Sequence, residues 1–145
     1  MKRDYPERPI VAVGVIVIKD DKVLLIQRNK APKLNLWSIP GGAQNLGEEL
    51  TDTAKREIFE ETSIVIKNIK LIDVLDFIER DDEDNIRYHY SLIDYVAEYK
   101  EGTLKAGDDA CAAKWVSFTD LEQYQLWTET LDMIIKAKNI LAQGK

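Results

Sequence analysis

The first long apolar stretch runs Ile10-Val11-Ala12-Val13-Gly14-Val15-Ile16-Val17-Ile18, with no polar residue to break it. A β-branched run of this kind predicts a strand buried on both faces. Asp20-Asp21-Lys22 supplies a turn, and Val23-Leu24-Leu25-Ile26-Gln27-Arg28 returns as the second arm of a hairpin. A polar connection from Asn29 to Asn35, containing Pro32, leads to a short extended piece at Trp37. The period then changes. Between Gly47 and Thr62, Leu50, Ala54 and Ile58 recur at i, i+4 and i+8, the spacing of one helical stripe. From Ile64 to Glu79 the pattern is strand-like again, enough for one or two strands: Ile64 and Ile66 alternate, then Ile72 and Val74, while Phe77 falls out of register. The acidic run Glu79 to Asn85 reads as a solvated hairpin turn, and the aromatic-rich run Arg87 to Tyr99 as a long strand. After a loop over Lys100 to Asp109, Ala113 to Phe118 predicts another strand, and Thr119 is the expected N-cap of a short helical turn. A second helix is expected from Trp127 to Leu141, with Leu131, Ile134, Ile135, Ala137, Ile140 and Leu141 as its apolar positions. The tail from Ala142 to Lys145 is expected to fray. No repeat or linker interrupts this pattern, so one domain is expected.

What makes the first helix unusual is the face beside its apolar stripe. Glu57, Glu60 and Glu61 stand at i, i+3 and i+4, within roughly one 100° arc of the helix. Like charges at that spacing repel by about 0.2–0.5 kcal/mol per pair even when exposed. They also fall in the last turns, where the helix dipole disfavours acids. Arg56 reaches Glu60 at i+4, but one cation cannot neutralise three acids. A divalent cation with hard oxygen ligands reverses both penalties, so the face reads as a Mg²⁺ or Mn²⁺ site; the alternative is a solvated charged surface. Ahead of the helix, Gly41-Gly42 follows Trp37-Ser38-Ile39-Pro40. Glycines there make a plain turn or let a backbone carbonyl approach a metal. Glu48, near the helix start, is either a helix-start acid or part of the metal surroundings.

With these residues in place the chain resembles the Nudix box. The match runs Gly42, five residues, Glu48, seven residues, then Arg56-Glu57-Ile58-Phe59-Glu60-Glu61-Thr62-Ser63-Ile64. Each defined position agrees except Ser63, where the family has the glycine that ends the helix. Leu36-Trp37-Ser38-Ile39-Pro40-Gly41-Gly42 is similar to the family's usual lead-in, and the loop and strand from Leu104 to Val116 also resemble the family. The resemblance implies an α/β (α+β) fold, an α/β/α sandwich around a mixed β-sheet. It implies hydrolysis of a nucleoside diphosphate linked to another group, with two or three Mg²⁺ ions (or Mn²⁺) neutralising the diphosphate and activating water. It assigns metal binding to Glu57, Glu60, Glu61 and the Gly41 carbonyl. Glu61, Glu57 or Asp109 is then the candidate base, Asp108 stands second to Asp109 as the loop acid, and Arg56 orients the acids. Homodimers are frequent in the family.

Other positions carry less. Arg28, closing the second strand, either grips a substrate phosphate or is a solvated strand end. His89, the only histidine, is either a substrate contact or proton shuttle, or a structural strand residue. Trp37 is expected to pack rather than stack on a base. The chain has 145 residues, 45% hydrophobic and 32% charged, which suits an ordinary globular core. Its formal charge of −6 and pI near 4.9 lack the basic footprint of a long nucleic-acid binder, including an RNA 5′-end enzyme. They leave room for a nucleotide held through metal. Cys111, the single cysteine, is expected as a small buried residue and fits a reducing, cytoplasmic setting. Charges and prolines precede the first apolar run, so neither a signal peptide nor a membrane span is expected.

Substrate signals are mixed. One subgroup of ADP-ribose pyrophosphatases has a proline 15 or 16 residues past the box; here Glu79 and Arg80 stand there. A tyrosine marker for dinucleoside polyphosphates is replaced by Asp81. The run Tyr88 to Tyr95, followed by Gly107-Asp108-Asp109 and Trp115, is similar to small bacterial members called ADP-ribose pyrophosphatases. ADP-ribose or a related nucleotide sugar is therefore the expected substrate. A (deoxy)nucleoside triphosphate pyrophosphohydrolase and a non-catalytic nucleotide sensor on the same fold are the alternatives.

Overall fold

The computed structural model describes residues 2–28, 36–107 and 110–143. In chain order the elements are β1 (Ile10–Lys19), β2 (Lys22–Arg28), β3 (Trp37–Ser38), β4 (Gly41–Ala43), α1 (Leu50–Thr62), β5 (Val65–Arg80), β6 (Ile86–Glu101), β7 (Ala110–Ser117), a 3₁₀ helix (Phe118–Tyr124) and α2 (Thr128–Gln143). One sheet runs in the order β3-β2-β1-β6-β5, with β4 also paired to β1 and β7 along β2. β1 and β6 are parallel and the remaining pairs antiparallel, so the sheet is mixed. No helix among the described residues is long and apolar enough to cross a membrane.

The apolar run of β1 explains the layers. Val13, Val15 and Val17 point to one face and meet Ala54 and Ile58 of α1. Ile16 points to the other and meets Met133, Ile134, Ala137 and Leu141 of α2. A strand between two layers must be apolar on both sides, and this one is.

Several boundaries differ from the sequence expectations, for local reasons. Helix α1 starts at Leu50 rather than Gly47, because Gly47 takes φ +84° in a turn and Glu49 is the extended N-cap. The stretch after α1 is a single strand. Its ladder with β6 is irregular between Lys67 and Lys70 and between Leu71 and Asp73, and an inserted residue moves the later side chains to the opposite face. The shift between Leu71 and Asp73 falls at Ile72, so Ile72 and Val74 do not continue one alternation; beyond it the ladder is regular through Glu79, and Val74, 57% exposed, and Phe77 alternate to opposite faces. The 3₁₀ helix is capped by Ser117, whose Oγ accepts from the Thr119 N–H at 3.4 Å, and not by Thr119. Cys111 is exposed rather than buried, since β7 lies along the outer side of β2. Its Sγ contacts the Gln27 carbonyl oxygen at 3.3 Å.

Candidate active site

β4 and the last turns of α1 build one corner. Gly41 has φ +155°, and a Cβ there would stand 2.0 Å from the Val13 carbonyl oxygen, so only glycine fits against β1. At Gly42 a Cβ would stand 2.3 Å from the Glu57 carboxyl carbon. The missing side chain leaves the space that the Glu57 carboxylate fills. Glu61 is 2% exposed. Its Oε1 accepts from the Gly41 N–H at 2.8 Å, and its Oε2 accepts from Arg28 Nη1 at 3.2 Å. Arg28 Nη2 also donates to the carbonyl oxygens of Ile39 and Gly41, each at 3.3 Å. Arg28 therefore turns into the corner rather than away from the strand end.

Arg56 organises the other acids. It donates through Nε to Glu48 Oε2 at 2.7 Å, through Nη1 to Glu57 Oε1 at 2.7 Å and Glu60 Oε2 at 3.2 Å, and through Nη2 to the Ala43 carbonyl at 2.9 Å. Its guanidinium pKa is raised, first by the Glu48 hydrogen bond. The same bond holds the Glu48 carboxyl down to about 2, with help from the Thr53 hydroxyl. Glu57 goes the other way: burial pushes its pKa up, and the Arg56 contact only partly offsets this.

The corner opens into a cleft of about 270 Å³ lined by Arg3, Arg28, Gly41, Gly42, Glu57, Glu60 and Glu61. A second cleft, about 460 Å³, adjoins it between the sheet and α2 and includes Phe77, Tyr90, Leu92, Asp94, Trp127 and Met133. Arg3, Arg28, Gly41 and Gly42 line both.

A family model for the NUDIX domain matches residues 8–136. The chain belongs to the NUDIX domain family. It is 37% identical over 113 residues to the ADP-ribose pyrophosphatase of Methanocaldococcus jannaschii, a match that covers 78% of this chain but 64% of that protein. It is 31% identical over 125 residues to the Nudix hydrolase YvcI of Bacillus subtilis, covering 84% of this chain and 77% of that one. Among solved structures, the NUDIX domain of Shewanella oneidensis NrtR complexed with ADP ribose superposes with TM-score 0.77 at 25% identity, covering 94% and 90% of the two chains. A MutT NUDIX hydrolase from Burkholderia pseudomallei gives 0.75 at 29%, covering 90% and 98%.

Within this NUDIX fold, the residues singled out in the sequence separate into groups. Gly41, Glu57, Glu60, Glu61 and Arg28 line one cleft, with Arg56 and Glu48 bound behind it. Among the described residues no three His, Cys, Asp or Glu side chains stand close enough together to hold a metal ion as they are. Arg56 pairs with Glu57 and Glu60, and Arg28 with Glu61, which relieves the repulsion among the three acids. Asp108 and Asp109 lie outside the described residues. The loop leading to them docks on the end of α1, where Gly107 N–H donates to the Glu61 carbonyl and Lys105 N–H to that of Thr62, both at 2.9 Å. His89 lines neither cleft; Tyr88 and Tyr90, its neighbours in β6, pack together on the opposite face of that strand. Trp37 packs edge-on against Tyr124, with centroids 5.2 Å apart.

Among the lining residues that the sequence pattern does not mark as site residues are Arg3, Trp127 and Asp94. Arg3 precedes any periodic element and belongs to no motif. Trp127 looked like a helix start. Asp94, 6% exposed inside an apolar strand, did leave a signal: a lone carboxylate among Leu92, Ile93 and Tyr95.

Proposed function

We propose that this chain is a divalent-metal-dependent pyrophosphohydrolase acting on a nucleoside diphosphate joined to a second group, with ADP-ribose or a related nucleotide sugar as substrate. The observation that carries the proposal is the junction of the two clefts. An acidic corner opens, across two glycines and two arginines, into a largely apolar cleft with aromatic side chains. A nucleoside needs the second, a diphosphate the first, and the two are contiguous. Similarity to an ADP-ribose pyrophosphatase and to a domain complexed with ADP ribose supports that choice of nucleotide.

The donor set fits magnesium or manganese: carboxylates of Glu57, Glu60 and Glu61 and the Gly41 carbonyl are hard oxygen ligands, and the bare Cα of Gly42 makes room for them. Bound there, the metal would neutralise the diphosphate and lower the pKa of water. The chain's own residues do the rest. Arg56 holds Glu48, Glu57 and Glu60 in one array. Gly41 N–H and Arg28 fix the two oxygens of Glu61. The hydrolytic step forms a bond from water oxygen to phosphorus and breaks the bridging P–O bond. The proton goes to a carboxylate, and the leaving phosphate oxygen departs as an anion. Glu57, whose burial favours the protonated form, and Glu61 are candidates for that base, together with Asp109.

Incubation with ADP-ribose, dGTP, 8-oxo-dGTP, FAD and NADH, with and without Mg²⁺, tests the proposal. Metal-dependent release of AMP and ribose 5-phosphate from ADP-ribose is the expected result. Pyrophosphate release from the triphosphates would move the assignment to a triphosphate pyrophosphohydrolase. Tight ADP-ribose binding with no turnover in Mg²⁺ or Mn²⁺ would make the chain a sensor.

A further inference from the structure

The residues before β1 carry no hydrophobic pattern, yet they are tied down. The Tyr5 N–H donates to the Arg87 carbonyl oxygen at 2.8 Å, and its hydroxyl donates to Asp81 Oδ2 at 2.8 Å. Arg87 Nε donates to Asp4 Oδ1 at 3.2 Å. Arg87 lies in β6 and Asp81 in the turn after β5, so all three contacts fasten the segment to the tip of one hairpin. Tyr5 takes φ +52°, a conformation bulky L residues rarely adopt without such contacts.

The fastening brings Arg3 to the mouth of the site. Arg3 lines both clefts, at the boundary they share. Arg28, the other cation there, is committed to Glu61 and to two backbone carbonyls. Among the described residues Arg3 makes no hydrogen bond or close ion pair; its charge acts at longer range on the Glu57 carboxyl, which burial pushes up and Arg3 helps to hold down. A nucleotide with its base in the apolar cleft and its reacting phosphorus at the acids must pass its diphosphate across that boundary. A guanidinium fork matches phosphate oxygens in shape as well as charge.

We infer that Arg3, carried by an N-terminal strap anchored on the β5–β6 hairpin, grips the diphosphate of nucleoside diphosphates and their conjugates as it spans the two clefts. The inference rests on the reading of this site as a nucleotide site. Asp4, Tyr5 and Arg87 line neither cleft and are positioning residues, acting by placing Arg3.

Titration calorimetry with α,β-methylene-ADP, which resists hydrolysis, and with adenosine, which has no phosphate, tests it in Mg²⁺. Arg3→Ala should weaken the analogue roughly 10- to 100-fold, as expected for a lost charge-assisted contact, and leave adenosine and the melting temperature unchanged. Arg3→Lys should recover part of the loss. Asp4→Arg alone should also weaken the analogue, and Asp4→Arg with Arg87→Asp should restore it by re-forming the pair in reverse. The inference is overturned if the Arg3→Ala protein binds the analogue as the parent does, if adenosine is weakened equally, if the charge swap restores nothing, or if the parent chain does not bind the analogue. Turnover separates the two readings. A chain that hydrolyses ADP-ribose regardless of Arg3 keeps its enzymatic assignment and loses the strap. A chain that needs Arg3 for the analogue but hydrolyses no nucleotide keeps the strap and loses the enzymatic assignment.

Discussion

Helix α2 buries Met133, Ile134, Ala137 and Leu141 against the sheet, while helix α1 buries Thr53, Thr62 and Glu61 beside Ala54 and Ile58. Neither helix carries a basic residue in its last turn. In α2 the packing rests on an apolar stripe, and its last turns contain no carboxylate. In α1 the same end holds Glu57, Glu60 and Glu61, and the compensating charge comes from Arg56 one turn earlier and from Arg28 on β2. One helix is fitted to burying apolar area. The other gives up some of that to hold oxygen atoms in place. Substitutions on the two should therefore separate activity from stability.

The largest expected effect is on α1. Glu61→Gln keeps an acceptor for the Gly41 N–H but removes the charge. Turnover of ADP-ribose should fall roughly 10²- to 10³-fold, the cost of losing a single electrostatic stabiliser in an active site, with a normal circular dichroism spectrum. Full activity in this variant would break both the comparison and the metal assignment. The matching change on α2 is Ile134→Ala, at a position 1% exposed. Urea unfolding should show a loss of about 2–5 kcal/mol, while the protein still folded at low temperature turns over normally. If Ile134→Ala abolished activity without lowering stability, the division between the helices would not hold.

These two sides were not equally legible in the sequence. The α2 stripe and the β1 run could be read from periodicity, because burial against a neighbouring layer imposes a spacing. The carboxylates of α1 could be read for the opposite reason: their spacing is unfavourable without a partner. What stayed hidden depends on distant segments meeting. Nothing near Arg28 in the chain says that its guanidinium reaches Glu61, and nothing near Arg3 says that a hairpin some eighty residues away holds it at the cleft. Cys111 is exposed although its neighbours are small and apolar, because its strand is at the sheet's edge. Ile72 and Val74 look in phase in the sequence because no local residue type announces the ladder shift between Leu71 and Asp73.

A smaller effect sharpens the electrostatic half of the comparison. The Glu48 carboxyl is held at about 2 in the fold, against an ordinary value of 4.5. A depressed acid contributes stability that is complete above its unfolded pKa and disappears as pH falls through the folded value. The contribution should therefore be lost between pH 4.5 and about 2. The Glu48 side chain is 16% exposed and open to solvent, so screening limits the gain to about 1 kcal/mol. Urea midpoints across that range should fall more steeply for the parent than for Glu48→Gln, which keeps the Thr53 contact and loses the charge. Parallel curves would mean that Arg56 gains nothing from Glu48 beyond a neutral hydrogen bond.

The smallest effect concerns how α1 ends. Ser63 sits at φ 64° and ψ 16°, where its N–H still reaches the Phe59 carbonyl oxygen at 2.8 Å. The left-handed exit turns the chain sharply, so that Ile64 enters the core and the loop at Gly102 passes beside it; a Cβ at Gly102 would meet the Ser63 carbonyl oxygen at 2.5 Å. Glycine adopts this conformation without the Cβ clash that serine accepts. Ser63→Gly keeps the backbone bond and removes the strain, although the freer unfolded chain cancels part of the benefit. Thermal unfolding should show a gain of about 0.5–1 kcal/mol with unchanged turnover. The test is sharp because the position lies two residues from Glu61. If the variant were more stable but slower, the strained exit would be helping to aim that carboxylate. If stability and rate were both unchanged, serine would be at ease in this exit.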